Sequence, residues 1–314
     1  MRVVSCLPAA TEIVAALGAI DHLVGISHQC DYPPEVGTLP RVTSTTVASQ
    51  QTSGLIDQEV RRLRNAGHPV IAVDGERLRQ LAPDLILTQD LCQVCAVSDG
   101  TIRTLASLLS PAPAMVSLAA RDMAGIREDI RTVGSALNRL GEAEDLISRQ
   151  RLRLTTLGPP LKTPPRVVCI EWLEPLYLAG HWVPEIVSAA GGIDVGARPG
   201  QSSRRCTWQD VIALAPDIIV IMLCGFDLER SLQEVAGQID AAGSRLPPAV
   251  PAWILDGNAY TSRAGPRVID AVELLHQAFR GVESEQIRPL RHAGVSPPRP
   301  ATTHDVAPAL ITIA

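Results

Sequence analysis

The stretch Leu81-Ala82-Pro83-Asp84-Leu85-Ile86-Leu87-Thr88-Gln89 occurs a second time, 133 residues later, as Leu214-Ala215-Pro216-Asp217-Ile218-Ile219-Val220-Ile221-Met222. Each copy closes a helical pattern at Leu-Ala, breaks at proline and enters an apolar run without alternation, the pattern of a strand buried on both faces of a parallel sheet. Each strand then runs into a loop that carries thiols, Asp90-Leu91-Cys92-Gln93-Val94-Cys95 in the first copy and Cys224-Gly225-Phe226 in the second. Ligands of open α/β sheets bind outside the carboxyl ends of the strands. The duplication therefore predicts two Rossmann-like α/β lobes with a ligand cleft between them.

Working outward, Val3–Cys6, Leu23–Ser27, Val70–Val73 and Ala114–Ser117 read as further strands of the first lobe, with helices from Pro8, over Ser53–Asn65 and over Ile102–Leu109. From Ala120 to about Leu157 a long amphipathic pattern predicts one connecting helix, interrupted only by Gly134 and Gly141. Arg166–Ile170, Ile218–Met222 and Trp253–Leu255 read as strands of the second lobe. The organisation expected is residues 1–118 for the first lobe, 119–158 for the connecting helix, 159–285 for the second lobe and 286–314 for a tail or loose surface strand.

Composition narrows the function classes. The chain has 314 residues, a formal net charge of −5 and no Lys/Arg run, which gives no footprint for nucleic acid or an anionic membrane. No apolar stretch is long enough for membrane insertion. The first strand begins at residue 3, leaving no room for a signal-peptide core, and seven cysteines with a Cys-x-x-Cys pair fit reduced thiols. The sequence as it stands therefore reads as cytoplasmic, or as periplasmic or extracellular if a signal has been removed. No Gly-x-Ser-x-Gly elbow and no phosphate loop occurs, so an enzyme is not expected.

The predicted strand ends collect unusual side chains. His28-x-Cys30 and Cys92-x-x-Cys95 bring four nitrogen and sulfur ligands to one edge, a pattern suited to zinc, iron or the metal of a bound complex; buried inert thiols are the alternative. Tyr32, Gln89, Glu171, Trp172, His181, Trp182, Tyr260 and Arg263 stand at the remaining strand exits. In a chain only 3% aromatic, that placement suits a large flat ligand. Packing of the lobe cores accounts equally well for the tryptophans taken singly.

Ser5-Cys-Leu-Pro8-Ala-Ala-Thr11-Glu12, Asp31-Tyr32-Pro33-Pro34, the two Leu-Ala-Pro-Asp copies, Ala190-Gly191-Gly192 and Arg263-Ala-Gly-Pro266-Arg267 together resemble the single-helix-linked solute-binding proteins of ABC importers for iron chelates and cobalamin. The cobalamin-binding branch is the part of the family they most resemble. The resemblance implies two lobes joined by a helix and a corrinoid ligand gripped by aromatic residues, with Tyr32 and Tyr260 in that role. It also implies an ABC permease partner, docked through one acid per lobe; Glu76 and Asp210 stand near the matching positions. An insertion around Ser44–Asp74, the absent signal and the His/Cys groups depart from the family pattern. They leave a second reading open, a cytoplasmic zinc- or iron-binding protein or metal-dependent enzyme on the same fold.

Overall fold

In the computed structural model, residues 1–89, 99–159, 161–242, 246–247 and 250–290 are described. The repeated stretch is tied down twice in the same way. Arg2 donates its backbone N–H to Asp84 Oδ2 (2.7 Å) and its Nε–H to Leu81 O (2.8 Å), while the Asp84 N–H returns to Arg2 O (2.8 Å). In the second copy Arg166 donates its backbone N–H to Asp217 Oδ2 (2.8 Å) and its guanidinium to Ala215 O and Leu214 O (3.0 and 2.7 Å), and Asp217 N–H reaches Arg166 O (2.8 Å). The residue before each proline, Ala82 (φ 39°) and Ala215 (φ 44°), is left-handed. That conformation costs an alanine about 1–2 kcal/mol. The arginine offsets it by satisfying carbonyls at the negative end of the preceding helix.

The chain divides into two compact units, Met1–Arg149 with Ala264–Pro266, and Gln150–Arg263 with Arg267–Ala314. The first begins with β1 (Val3–Ser5), α1 (Pro8–Ala16), β2 (Leu23–Ile26), β3 (Thr43–Thr45), α2 (Ser53–Asn65) and β4 (Ile71–Val73). It continues through α3 (Gly75–Leu81), β5 (Leu85–Gln89), α4 (Asp99–Ser107), β6 (Ala114–Leu118) and α5 (Met123–Ala136), and ends within α6 (Leu140–Thr155). The strands β2-β1-β5-β6 form a parallel sheet. Val4, Cys6 and Ile86 pack from one face against Leu78 of α3 and Ile102 and Ala106 of α4. The segment expected as an insertion folds as the antiparallel ribbon β3-β4 with α2 between its strands.

The second unit contains β7 (Arg166–Trp172), β8 (Tyr177–Leu178), α7 (Val183–Ala189), β9 (Ile193–Asp194), β10 (Arg204–Arg205), α8 (Trp208–Ala213) and β11 (Ile218–Ile221). After these come α9 (Leu228–Ala242), β12 (Ala252–Leu255), α10 (Gly257–Tyr260), α11 (Val268–Ala278) and β13 (Ile287–Pro289). Its parallel strands β9, β7, β11 and β12 repeat the order β2-β1-β5-β6 of the first sheet. β8 and β10 add antiparallel pairing on the β7 side, and β13 adds it on the β12 side. The two repeated strands, β5 and β11, therefore lie in separate sheets, each beside the strand that its arginine opens.

Two expectations change. The connecting segment is two helices, because the chain turns at Leu137–Arg139 with Asn138 left-handed (φ 57°). Arg139 N–H closes the turn on Gly134 O (2.6 Å), and a Cβ on Gly134 would stand 2.7 Å from Ala143 Cβ, so glycine lets α5 and α6 meet there. The region from residue 286, expected as a tail or loose surface strand, begins as β13, a strand packed into the sheet, with Ile287 fully buried and Leu255↔Ile287 and Trp253↔Pro289 in register. Within the second unit Arg153 of α6 forms a fork with Glu273 (2.8 and 2.7 Å) and Asp270 (2.6 Å) of α11.

Replacing Asp84 or Asp217 by alanine removes the acceptor of a backbone N–H and loosens a strained turn. Each substitution is expected to destabilise the protein by about 1 kcal/mol, with asparagine, which keeps an acceptor oxygen, costing less. Urea unfolding midpoints of the four variants check the order.

Candidate functional site

At the carboxyl edge of the first sheet, β1 ends at Ser5 and passes directly into α1 through Pro8. Thr11 on that helix donates from Oγ1 to Ser5 Oγ (2.9 Å) and lies 3.1 Å from Cys30 Sγ. Cys30, 1% exposed, is thus turned inward onto α1. His28 has a different neighbour: its backbone N–H donates to Thr43 Oγ1 (2.9 Å), and its Nδ1 lies 2.7 Å from the same oxygen. Arg41 donates to the carbonyls of Ser27 (3.0 Å) and Cys30 (2.5 Å), fixing the turn between them. Burial first, and the Arg41 charge second, hold the His28 imidazole below its ordinary pKa, which favours the neutral ring. Cys6 is pushed up to about 12 by burial and by Cys30, so its thiol stays protonated.

The two described members of the expected metal cluster turn to different neighbours. His28 meets Thr43 through Nδ1, its Nε2 being buried with no hydrogen-bond partner among the described residues, and Cys30 meets Thr11, while Cys92 and Cys95 lie outside the described residues. Among the described residues, no group of three or more His, Cys, Asp or Glu side chains is placed to hold a metal ion. Tyr32, by contrast, is 44% exposed beside a cis Tyr32–Pro33 bond, and Gln89 is half-buried at the last position of β5.

The second sheet presents its side chains along the same kind of edge. Glu171 and Trp172 end β7, both half-buried. The Trp172 indole N–H donates to Glu174 O (3.0 Å), and its ring meets Phe226 edge-on at 5.4 Å and 79°. The Arg230 guanidinium lies 3.3 Å from the centre of the Phe226 ring. Neither Phe226 nor Arg230 was expected as a site residue. The repeated strand and its thiol pointed to the loop after β11, but nothing in the sequence pairs Phe226 with Trp172, 54 positions earlier.

His181 has positive φ (53°) and is clamped by its backbone: its N–H donates to Gln201 O (2.6 Å) and its carbonyl accepts from Gly200 N–H (2.9 Å). Asp194 Oδ1 starts the clamping loop by accepting from Gly196 N (2.8 Å) and Ala197 N (2.9 Å). Trp182 is buried, and its indole N–H donates to Thr261 O (2.9 Å), so it serves the interior of the unit. Tyr260 ends α10, with the Arg267 guanidinium 5.6 Å from its ring centre. Arg263 is buried and donates to Asn258 Oδ1 (3.0 Å). Gly257 lets α10 sit on the end of β11, since a Cβ there would fall 2.3 Å from Leu223 O.

The two acids expected to dock a partner differ in setting. Glu76, in the first turn of α3, pairs with Arg79 and Gln80. Asp210 is the third residue of α8 and closes a capping box with Thr207, whose backbone N–H first, and hydroxyl second, hold its carboxyl below the usual range. The position in α8 that matches Glu76 is Gln209.

A fold of two α/β units with repeated parallel sheets, loaded with aromatic and polar side chains at the carboxyl edges, is that of a solute receptor. The family model described as periplasmic binding protein matches residues 3–244, and the chain belongs to this family. Its members are binding proteins rather than enzymes; they take up small molecules and work with ABC permeases. The vitamin B12-binding protein of Vibrio cholerae is 25% identical over 279 residues, 87% of this chain and 86% of that protein. Among solved structures, the periplasmic heme-binding protein RhuT from Roseiflexus sp. RS-1 aligns with a TM-score of 0.63 at 22% identity, over 88% of this chain and 97% of that one. The periplasmic vitamin B12-binding protein BtuF of Vibrio cholerae aligns with 0.54 at 22% identity, over 88% and 95%. These relatives lend no support to the cytoplasmic metalloprotein or enzyme. Among the described residues no helix is long and apolar enough to cross a membrane.

Burial raises the Asp194 carboxyl to about 6, against the pull of its two backbone donors. A carboxyl whose folded pKa lies above its unfolded value favours folding below the unfolded pKa, and that contribution is lost as pH rises through the folded one. Stability should therefore fall between about pH 4 and pH 6 for this group. Asp194→Asn, which keeps Oδ1 for Gly196 and Ala197, is expected to flatten that slope and to raise the melting temperature at pH 7.5. Thermal melts of both proteins across pH 4–8 measure it.

Proposed function

We propose that this protein is the extracytoplasmic receptor of an ABC importer and that its ligand is a corrinoid of the cobalamin type. The observation that carries the reading is the set of aromatic rings at the carboxyl edges, Tyr32 after β2, Trp172 at the end of β7 and Tyr260 on α10, in a chain aligned over 87% of its length with a vitamin B12-binding protein. Ring faces and edges cover the apolar perimeter of a macrocycle, while Gln89, Glu171 and His181 offer hydrogen-bonding partners to peripheral amides. The metal travels inside the ligand, so no resident zinc or iron site is required of His28, Cys30, Cys92 and Cys95.

Heme is the second reading. It is favoured by structural similarity, because the heme-binding RhuT aligns with a higher TM-score than BtuF, 0.63 against 0.54. Both ligands contain a metal-centred macrocycle of similar breadth, and the aromatic positions serve either. Titration of the full chain with cyanocobalamin and with hemin, followed by tryptophan quenching and calorimetry, separates them. One-to-one cyanocobalamin binding at about micromolar Kd or tighter is expected, with Tyr32→Ala and Trp172→Ala each weakening it by about tenfold, or ~1.4 kcal/mol. Hemin binding in preference to cyanocobalamin would replace the corrinoid by heme.

A permease is the proposed partner, approached through Glu76 and Asp210. Because each acid already has an intramolecular partner, docking must exchange one ion pair or cap for another, and each exchange is worth little alone. Glu76→Lys combined with Asp210→Lys is expected to abolish co-purification with the cognate permease in detergent while leaving ligand affinity unchanged. Retained co-purification would remove these two residues from the interface.

A further inference from the structure

We infer that Phe226 and Arg230 are positioning residues for Trp172, holding its indole in a fixed orientation before the ligand arrives; this rests on Trp172 being a ligand contact. Two restraints act on the Trp172 ring, and a third holds the second of them in place. The indole N–H is spent on Glu174 O at 3.0 Å, which sets the direction of the indole edge within two residues of its own backbone. The Phe226 ring stands against it at 79° with 5.4 Å between centroids, the T-shaped arrangement in which the positive edge of one ring meets the negative face of the other. Arg230 lies over Phe226 at 3.3 Å, so Phe226 cannot swing away without losing a cation–π contact.

The backing is also anchored to the fold. Phe226 is 2% exposed, its N–H donates to Leu223 O (3.1 Å), and its carbonyl accepts from Asn258 N–H (3.0 Å), so the loop after β11 is stitched to α10. Gly225 adopts the positive φ (73°) that the loop needs to turn Phe226 inward, and its N–H donates to Ser262 Oγ (3.3 Å). Arg230 sits in the first turn of α9, three residues after the cap Asp227, which accepts the Arg230 N–H (2.8 Å). Guanidinium, phenyl and indole thus form a row running from a helix terminus to the end of β7. Phe226, in the middle, is buried, while Trp172 and Arg230 at the two ends are half-exposed. A large ring fixed in advance loses little rotamer freedom on binding, and affinity gained this way does not depend on any contact between ligand and Phe226 or Arg230.

The test uses the full chain labelled with 5-fluorotryptophan, with cyanocobalamin and hemin as the probes. In the ligand-free protein, Phe226→Ala and Arg230→Ala are expected to broaden the Trp172 resonance, identified by its absence from Trp172→Phe, while those of Trp182, Trp208 and Trp253 keep their line widths. Phe226→Leu, which retains buried volume and removes the ring, gives the same broadening if the alanine variant fails to fold. An unbroadened Trp172 signal in Phe226→Leu overturns the inference whatever the ligand is. With the probe that wild type binds, Phe226→Leu is expected to lose about tenfold in affinity and Trp172→Ala/Phe226→Leu to bind no worse than Trp172→Ala, the non-additivity of residues that act as a unit. Additive losses overturn the positioning role. Trp172→Ala binding both probes as wild type does would instead remove Trp172 from the ligand site and leave the resonance result standing.

Discussion

An arginine backbone N–H held by an aspartate at the amino edge of each sheet is the constraint on which the rest depends. Without the Arg2–Asp84 and Arg166–Asp217 pairs, the residues that leave α3 and α8 would face a proline with a left-handed alanine behind them and no compensation in front. With them, each central strand pair is locked in register from its first residue. Val3 then meets Leu85, and Val167 meets Ile218. Register set at the amino edge determines which residues emerge at the carboxyl edge, since a one-residue slip would reverse the face of every side chain along the strand. Trp172 reaches Phe226 only because β7 and β11 start level.

This division of labour explains which parts were legible in the sequence. The repeated strands could be read because burial on both faces leaves an unbroken apolar run, and their loops because proline and glycine mark them. The strands β3 and β10, Thr43–Thr45 and Arg204–Arg205, carry no apolar pattern and exist because a neighbouring backbone needs partners. The helix break was masked for a related reason. Gly134 and Gly141 looked like the interruptions, yet Gly134 serves a close helix crossing and Gly141 has open space around it, while Asn138 makes the turn. Asparagine in the left-handed region gives no signal in a hydrophobic pattern.

For the site, single residues were readable and relations were not. Tyr32, Trp172 and Tyr260 stand out as aromatics at strand exits in a chain with few of them. Their supports do not. Phe226 looks like any apolar loop residue, Arg230 like any charge in the first turn of a helix, and Asp194 like a turn aspartate. His28 and Cys30 show how spacing hides partners: two positions apart and suited to a metal by type, they are drawn to different threonines on different elements. Spacing alone does not reveal that divergence, because it depends on α1 and the β3-β4 ribbon approaching one turn from two sides.

The second sheet also ends in a particular way. Within the described residues the β7 side is bordered by β9 and β10, two residues each, β10 being two exposed arginines, and the other side by β13, three residues closing on Pro289, which has no N–H to offer. Short, charged or proline-bearing borders give an incoming strand almost nothing to pair with. A receptor whose carboxyl-edge loops carry half-buried aromatic rings gains from such borders. They block the backbone route to self-association, so the loops at the carboxyl edge vary without a free strand edge beside them to recruit another chain.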